Sequence, residues 1–259
     1  MAPSTYYYSI KERPDKYADL RKEIARVFEK HKGRYGYRRI CLQLREEGYT
    51  FNHKTVAKLM AEMGLHAHKH KRHYRSYKGE VGRIAPNVLE QNFEAEAPNR
   101  KWTTDVSQIE IKGKKCYLSP ILDMWNGEVI SYTLSSRPDM SMVVNMLRKA
   151  FRKHQSLTGL VMHSDQGWLY QQTHYQYLLR EHGIIQSMSR KGNCLDNAMM
   201  ENFFGLMKNE LLYPNDWDNI ETFKTALIQY IRYYNHDRIK LRLKTSPVKY
   251  RTHFQNKVN

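Results

Sequence analysis

Three acidic side chains stand in segments whose patterning draws them toward one place. Asp105 lies in "KWTTDVSQIEI", Asp165 in "HSDQG" and Glu201 in "NAMMENFF". The first segment alternates as a strand does, Asp165 directly follows the short apolar run "GLVMH", and Glu201 lies in a helical stretch after "GIIQS". Side chains from separate strands converge at strand ends, so these are positions where sites form. Clustered carboxylates repel one another unless a cation sits between them. Magnesium takes such hard oxygen ligands together with waters and substrate phosphates. Two ions roughly 3.5–4 Å apart can activate an attacking oxygen and stabilise a leaving one in phosphoryl transfer. Each acid alone also has a plainer reading: Asp105 as a solvent-facing strand residue, Asp165 as a turn former, Glu201 on an exposed helix face.

Helix geometry separates the acids of "RKGNCLDNAMMENFFGLMKNELL". At about 100° per residue, Asn197 is about 40° from Glu201 and Lys208 about 20° away, while Asp196 and Glu210 are turned by about 140° and about 180°. Glu201 therefore shares a face with Asn197 and Lys208. Asp196 and Glu210 are expected to support the helix or its neighbours.

Several elements must position these residues. Leu20, Ile24, Val27 and Phe28 recur at helical spacing between Asp15 and Lys32. A second helix follows "YGYRRICLQLREEG", with Ile40 and Leu44 one turn apart and Gly48 as its stop. Asn52 can cap a third, "NHKTVAKLMAEMG", whose Val56, Leu59, Met60 and Met63 face inward. Helix, short turn, helix is the pattern of a helix-turn-helix, and its outer face would offer His53, Lys54 and Lys58 to a DNA groove; a plain helical hairpin is the alternative. After "HAHKHKRHYRSYKG", a basic strip with interleaved tyrosines suited to a phosphate backbone, residues 81–100 look like a linker. Then come three antiparallel strands, with Asn126-Gly127 as a hairpin turn. A helix near 139–154, a strand, a helix near 171–182, a strand and the long helix follow. This order indicates a mixed α/β layer fold.

The charge supports a polyanionic partner. Lys and Arg number 43 against 26 acids, a formal charge of +17. Residues 1–80 hold 19 basic residues against 9 acids, residues 81–212 hold 15 against 13, and residues 213–259 hold 9 against 4. A near-neutral middle thus lies between basic flanks. No run approaches the length of a membrane span and the start lacks the apolar core of a secretion signal, so a cytoplasmic protein without membrane contact is expected. Cys41, Cys116 and Cys194 suggest neither a disulfide framework nor a zinc site.

"WTTDVSQIEI", "HSDQGWLY" and "SRKGNCLDNAMMENFFGLMKNELL" together resemble the three catalytic blocks of the DDE transposases and retroviral integrases, specifically the IS-three family of bacterial insertion sequences. Thirty-five residues separate Asp165 from Glu201, as that group's signature requires, and the basic Lys208 follows seven positions later. "YGYRRI" with "NHKTVAKLMAEMGL" resembles the helix-turn-helix that precedes the core in this family, and "YNHDRIKLRLKTSPVKY" its usual C-terminal end.

The resemblance implies an RNase H-like core with a five-stranded mixed sheet over residues 101–235, preceded by an all-α DNA-binding region over 1–80 and followed by a basic tail over 236–259. It implies Asp105, Asp165 and Glu201 as catalytic ligands of Mg²⁺, with Mn²⁺ able to substitute. The activity implied is cleavage and strand transfer at element ends by in-line attack of water and then a DNA 3′-hydroxyl, without a covalent protein intermediate. In that scheme Lys208 holds a phosphate, Asn197 orients substrate or ligand, and Arg190 and Lys191 contact the DNA backbone. The implied partners are double-stranded DNA, as terminal repeats and target, and further copies of the chain, at least a dimer on DNA. Complete family members often carry a further N-terminal helix-turn-helix and leucine zipper; no heptad run is visible in this sequence. The competing expectation is a DNA-binding regulator that keeps the fold without cutting.

Overall fold

The computed structural model describes residues 15–67, 83–190 and 194–258, so most of the basic strip and Lys191 lie outside the described residues. The chain divides into two units, 1–68 and 69–259.

The first unit is built from three amphipathic helices: α1 (Ala18–Lys30), α2 (Tyr37–Glu46) and α3 (His53–Glu62). Leu20, Ile24 and Val27 of α1 are buried with Ile40, Cys41 and Leu44 of α2 and Val56, Leu59 and Met60 of α3, while Phe28 and Met63 are half-buried. Both expected punctuation marks are present. Asn52 caps α3, its side-chain oxygen accepting from the Lys54 N–H at 2.9 Å, and Gly48 adopts φ +92° just past the end of α2.

The second unit is a mixed sheet between two helical layers. Its strands are β1 (Lys101–Thr104), β2 (Ser107–Ile111), β3 (Lys114–Asp123), β4 (Val129–Ser135), β5 (Val161–Ser164) and β6 (Ile185–Met188). β1 and β2 run in succession along one edge of β3 and β4 along the other, all antiparallel; β5 pairs parallel with β1, and β6 with β5. The sheet has six strands where five were expected, because "KWTTDVSQIEI" breaks at Asp105–Val106. That break lies opposite Ser119 and Pro120, since Thr104 pairs with Ile121 and Ser107 with Leu118. Proline has no N–H to give to a ladder, and the Pro120 carbonyl instead accepts the Thr104 hydroxyl at 2.9 Å. The β3–β4 hairpin is also wider than a two-residue turn. Five residues, 124–128, connect the strands, and the Gly127 N–H reaches the Asp123 carbonyl at 2.7 Å. Gly127 has φ +70°, and a Cβ there would lie 1.9 Å from Lys240 Nζ.

Alternate residues of the strands face different layers. Ile121 and Ile130 pack with Met142, Met146 and Leu147 of α4 (Met140–Lys153) and with Leu178 and Leu179 of α5 (Thr173–Glu181). Leu118, Leu122 and Val129 pack on the other face with Met200, Phe203 and Phe204 of α6 (Ala198–Met207) and with Phe223, Leu227 and Tyr230 of α7 (Ile220–His236). The last turn of the α6 helix widens to a π-helix over Lys208–Leu212.

Two expected segments are part of this unit. In the presumed linker, the Val88 N–H donates to Ser187 Oγ at 3.0 Å and Asn87 Nδ2 to Asp196 at 3.1 Å. The presumed tail carries helix α8 (Pro247–Val258), whose Arg251 is buried against Asp123 and Glu128 at 2.7 and 2.6 Å. Tyr250 and Phe254 of α8 pack on Trp125. A buried guanidinium facing two buried carboxylates demands close docking, so this segment packs on the sheet through Arg251, while Arg242, Lys244 and Lys249 are exposed. No helix among the described residues is long and apolar enough to cross a membrane. Cys41 and Cys116 are buried free thiols.

Candidate active site

Sheet register sets the first two acids side by side. β1 and β5 are parallel neighbours with Trp102 opposite Met162 and Thr103 opposite His163. Two residues further along each chain stand Asp105 and Asp165, at the same end of adjacent strands, whose spacing is about 4.8 Å in such sheets. Asp105 is buried and Asp165 half-buried, so Asp105 is not the solvent-facing strand residue that the alternation alone permits. In each, one carboxylate oxygen is fixed by a nearby amide. Asp105 Oδ1 accepts from the Val106 N–H at 2.7 Å, and Asp165 Oδ1 from the Gly167 N–H at 2.8 Å. Asp165 therefore shapes its turn as well as facing the site.

The helix with the third acid is tied to the same place. Asn197 immediately precedes α6, and its side-chain oxygen accepts from the buried Thr103 hydroxyl at 3.0 Å. Thr103 lies two residues before Asp105, and Glu201 four residues after Asn197, one turn along the helix. Asn197 is itself buried. Its amide thus joins helix to strand where the sequence suggested contact with substrate.

Burial shifts all four charged groups, and the charges of the other three act on Asp105. Burial first, then the charge of Asp165, with a smaller contribution from Glu201, push Asp105 well above the ordinary carboxylate range; the Val106 N–H and Lys208 oppose this. Burial also raises Asp165, against the Gly167 N–H, and raises Glu201. Lys208 is half-buried and its pKa lowered by burial, an effect that the Asp105 charge opposes. Among the described residues, no cation forms an ion pair with any of the three acids.

The remaining sequence candidates fall in different places. His53, Lys54 and Lys58 are exposed on α3, opposite its buried side. Arg190 is engaged rather than free. Its backbone N–H, Nε and Nη2 all donate to Asp196, at 2.9, 3.0 and 3.0 Å. Asp196 also accepts from Asn87 and Gln91; the Arg190 side chain above all, with the Arg190 N–H and the Gln91 amide, holds it far below the usual carboxylate range against the effect of burial. Glu210 is buried against Arg238 at 2.6 Å and accepts from the Tyr230 hydroxyl at 3.0 Å. Both acids thus stabilise structure around the helix, as its geometry indicated.

Sequence reasoning passed over Tyr170 and Tyr175. Both are buried; the Tyr170 hydroxyl meets the Thr104 side chain, and the Tyr175 hydroxyl has no hydrogen-bond partner among the described residues. The charges of Asp105 and Asp165 add to burial in raising the Tyr170 phenol well above its ordinary value. Their signal was weak: in "GWLYQQTHY" Tyr170 follows the apolar Trp168 and Leu169, whereas Tyr175 follows polar residues.

Three hard carboxylates, none of them ion-paired among the described residues, form a donor set of the kind a divalent cation takes. Among the described residues no three such side chains are drawn tightly enough to enclose an ion. The hard oxygen chemistry of these donors fits a divalent cation that would draw the acids together.

This fold and this arrangement of acids define a protein of the integrase-core class. The integrase core domain family matches residues 95–194, a second integrase core family residues 201–254, and an HTH-like domain family residues 15–73. The chain belongs to the insertion-sequence transposases of the IS-three family, with an HTH-like domain ahead of an RNase H-like core. It is 53% identical over 251 residues to the putative transposase InsK for insertion sequence element IS150 of Escherichia coli, covering 96% of this chain and 89% of that protein. It is 33% identical over 210 residues to the transposase InsF for insertion sequence IS3A of the same organism, covering 80% and 73%. Among solved structures, a chain of the simian T-cell lymphotropic virus intasome in complex with PP2A regulatory subunit B56 gamma matches with TM-score 0.50 and 18% identity, over 88% of this chain and 74% of that one. At that identity the likeness is one of fold.

Proposed function

We propose that this transposase cuts and joins DNA strands at the ends of its element, with Asp105, Asp165 and Glu201 holding divalent metal, Mg²⁺ or Mn²⁺. The observation that carries this reading is the parallel register of Asp105 with Asp165, with the Glu201 helix tied to the same strand through Thr103 and Asn197. When bound, the metal supplies positive charge against the phosphate and the attacking and leaving oxygens. The acids hold that charge at the strand ends, and Lys208 adds a cation beside Asp105 that draws a phosphate toward the site. In the first step a water oxygen attacks phosphorus, the P–O3′ bond breaks, and a 3′-hydroxyl and a 5′-phosphate result. In the second that hydroxyl attacks a target phosphodiester, forms a new P–O bond and expels the target's own 3′-oxygen, which takes up a proton.

DNA is the substrate class we infer for both units. On α3 the exposed His53, Lys54 and Lys58 face a groove or its phosphates, while Val56, Leu59 and Met60 hold the helix to the rest of the unit. Assembly of two or more copies on paired DNA ends follows from the need to hold two ends for joining.

The test is nicking and strand transfer on duplexes carrying the DNA that flanks the gene, with Mg²⁺ or Mn²⁺, for wild type, Glu201→Gln and the exposed Glu110→Gln. Loss of both steps in Glu201→Gln alone supports the reading. End binding by wild type without any cutting favours a regulator instead, and normal cutting by Glu201→Gln removes that residue from the site.

A further inference from the structure

The parallel ladders carry a polar row on one face of the sheet. Thr103 of β1 stands opposite His163 of β5, and His163 opposite Ser187 of β6. All three are buried. Asp105 and Asp165 follow two residues further along the first two strands, so the row lies one pleat repeat before the acids. It is tied to the residues that open α6. The Thr103 hydroxyl donates to Asn197, and the His163 ring, whose Nδ1 lies 2.9 Å from Ser187 Oγ, meets the backbone of Asp196. Asp196 and Asn197 precede Glu201 by five and four residues. The roots of all three acids thus meet in one buried cluster.

The segment before β1 closes this cluster from outside. The Val88 N–H donates to Ser187 Oγ at 3.0 Å, the Met188 N–H to the Pro86 carbonyl at 3.2 Å, and Leu89 is buried. Because Ser187 Oγ accepts from Val88, its own proton is free for His163 Nδ1, which leaves the ring's other N–H to face the Asp196 backbone. Asn87 Nδ2 and Gln91 Nε2 donate to the two oxygens of the Asp196 carboxylate, at 3.1 and 3.2 Å. The remaining donors to that carboxylate come from Arg190, six residues away, and close the loop only on itself. Asn87 and Gln91 instead reach it across 109 and 105 residues of chain. The turn that presents them is costly: Glu90 has φ +46° and Gln91 φ +66°, in the left-handed region that side chains disfavour. Asn87 Oδ1 fixes it, accepting from the Leu89 and Glu90 N–H groups at 3.1 and 3.0 Å. Backbone of this kind persists only where its surroundings determine it, and it gathers at functional sites.

We propose that residues 83–91 brace the acid cluster, with Asn87 and Gln91 as positioning residues for Glu201. By gripping Asp196 they fix the start of α6, and with it the place of Glu201 relative to Asp105 and Asp165. The stretch of chain that leads from the first unit into β1 is then part of the catalytic frame rather than a passive tether. Groups that orient metal ligands without touching the ion are worth roughly 10–100-fold in metal affinity. The inference rests on the metal-site reading given above.

The experiment uses the full chain with Mn²⁺ alone as probe, read by electron paramagnetic resonance, and then follows strand-transfer rate against Mn²⁺ concentration. Wild type, Asn87→Ala, Gln91→Ala, the double variant and Asp105→Asn are compared, with Glu94→Gln as an exposed control. Urea unfolding in a chelator and titration with end DNA accompany each. The double variant should bind Mn²⁺ about tenfold more weakly and recover its rate at higher Mn²⁺, because its acids are intact but no longer held together. Asp105→Asn, which lacks a ligand, should not recover. Gln91 is exposed, so Gln91→Ala stays folded and should show a smaller loss of the same kind, with end affinity unchanged. Wild-type Mn²⁺ affinity in the double variant overturns the proposal and leaves the metal site standing, as does lowered stability with unchanged affinity in the folded fraction. A matching fall in end affinity moves Asn87 and Gln91 into the DNA interface and also overturns it. A wild type that binds no Mn²⁺ overturns both the proposal and the reading beneath it.

Discussion

The Thr103 hydroxyl donates to the Asn197 side-chain oxygen at 3.0 Å across 94 residues of sequence, inside the protein. One hydrogen bond thereby joins the strand that leads to Asp105 with the helix that carries Glu201. Breaking it leaves a buried polar group unsatisfied, which costs about 1–3 kcal/mol. Thr103→Val and Asn197→Ala should each lower stability by that order in urea unfolding, and the double variant should lose less than their sum. Strand transfer by the folded fraction should fall with either change, because the acids no longer share a fixed frame. Additive losses would show that the bond does not couple the two elements.

Glu210 and Arg238 form an ion pair with both side chains buried, and the Tyr230 hydroxyl adds a third member. Removing one charge strands the other, at about 3–5 kcal/mol. Glu210→Gln is therefore expected to reduce stability far more than Glu110→Gln, while the folded fraction retains its nicking activity. A stable Glu210→Gln protein that cannot cut would move this acid into the active site.

His154 contributes a pH dependence of identifiable sign. Burial, with the nearby Lys153 and Arg251, lowers its pKa from 6.5 to about 4, and its Nδ1 lies 3.3 Å from Asn99 Nδ2. The fold thus prefers the neutral ring. Its contribution is present above pH 6.5 and is lost as pH falls from there through about 4. Thermal melts between pH 7.5 and 4 should show a decline that His154→Gln flattens; an identical slope in that variant would assign the decline to other groups.

DNA binding through α3 predicts a loss without unfolding. Lys54→Ala and Lys58→Ala should weaken binding to element ends and make the salt dependence shallower by about 0.9 in log–log slope for each phosphate contact removed. Helical content should be unchanged, because both residues are exposed. Titrations at several salt concentrations decide this, and wild-type affinity in both variants would remove α3 from the interface.

What the sequence disclosed was local. Periodicity located α1, α2 and α3, Asn52 and Gly48 marked their limits, and alternation with short apolar runs located the strands. The three acids could be singled out because their positions at strand ends and on one helix face are properties of neighbouring residues. The break at Asp105–Val106 was less legible, although Pro120 in an otherwise central strand was its signal. Helix α7 had its own, with Asn219 as cap and Ile220, Phe223, Leu227, Tyr230 and Tyr234 at helical spacing. The bond of Arg190 to Asp196 was not legible, because a basic residue in this loop suits a phosphate as well as it suits a carboxylate. Only tertiary structure brings Asn87, Gln91 and Arg190 to that one carboxylate.

The contact of Arg251 with Asp123 and Glu128 also sets an order of events during translation. The two acids emerge on β3 and in the hairpin loop, whereas the guanidinium that neutralises Asp123 is made 128 residues later. A nascent chain short of that point can pair its strands, but it would bury Asp123 without its counterion. Folding on the ribosome therefore stays unfinished at this end of the sheet until α8 has been synthesised. A ribosome that stalls before residue 251 would leave a loosened core for proteases to find.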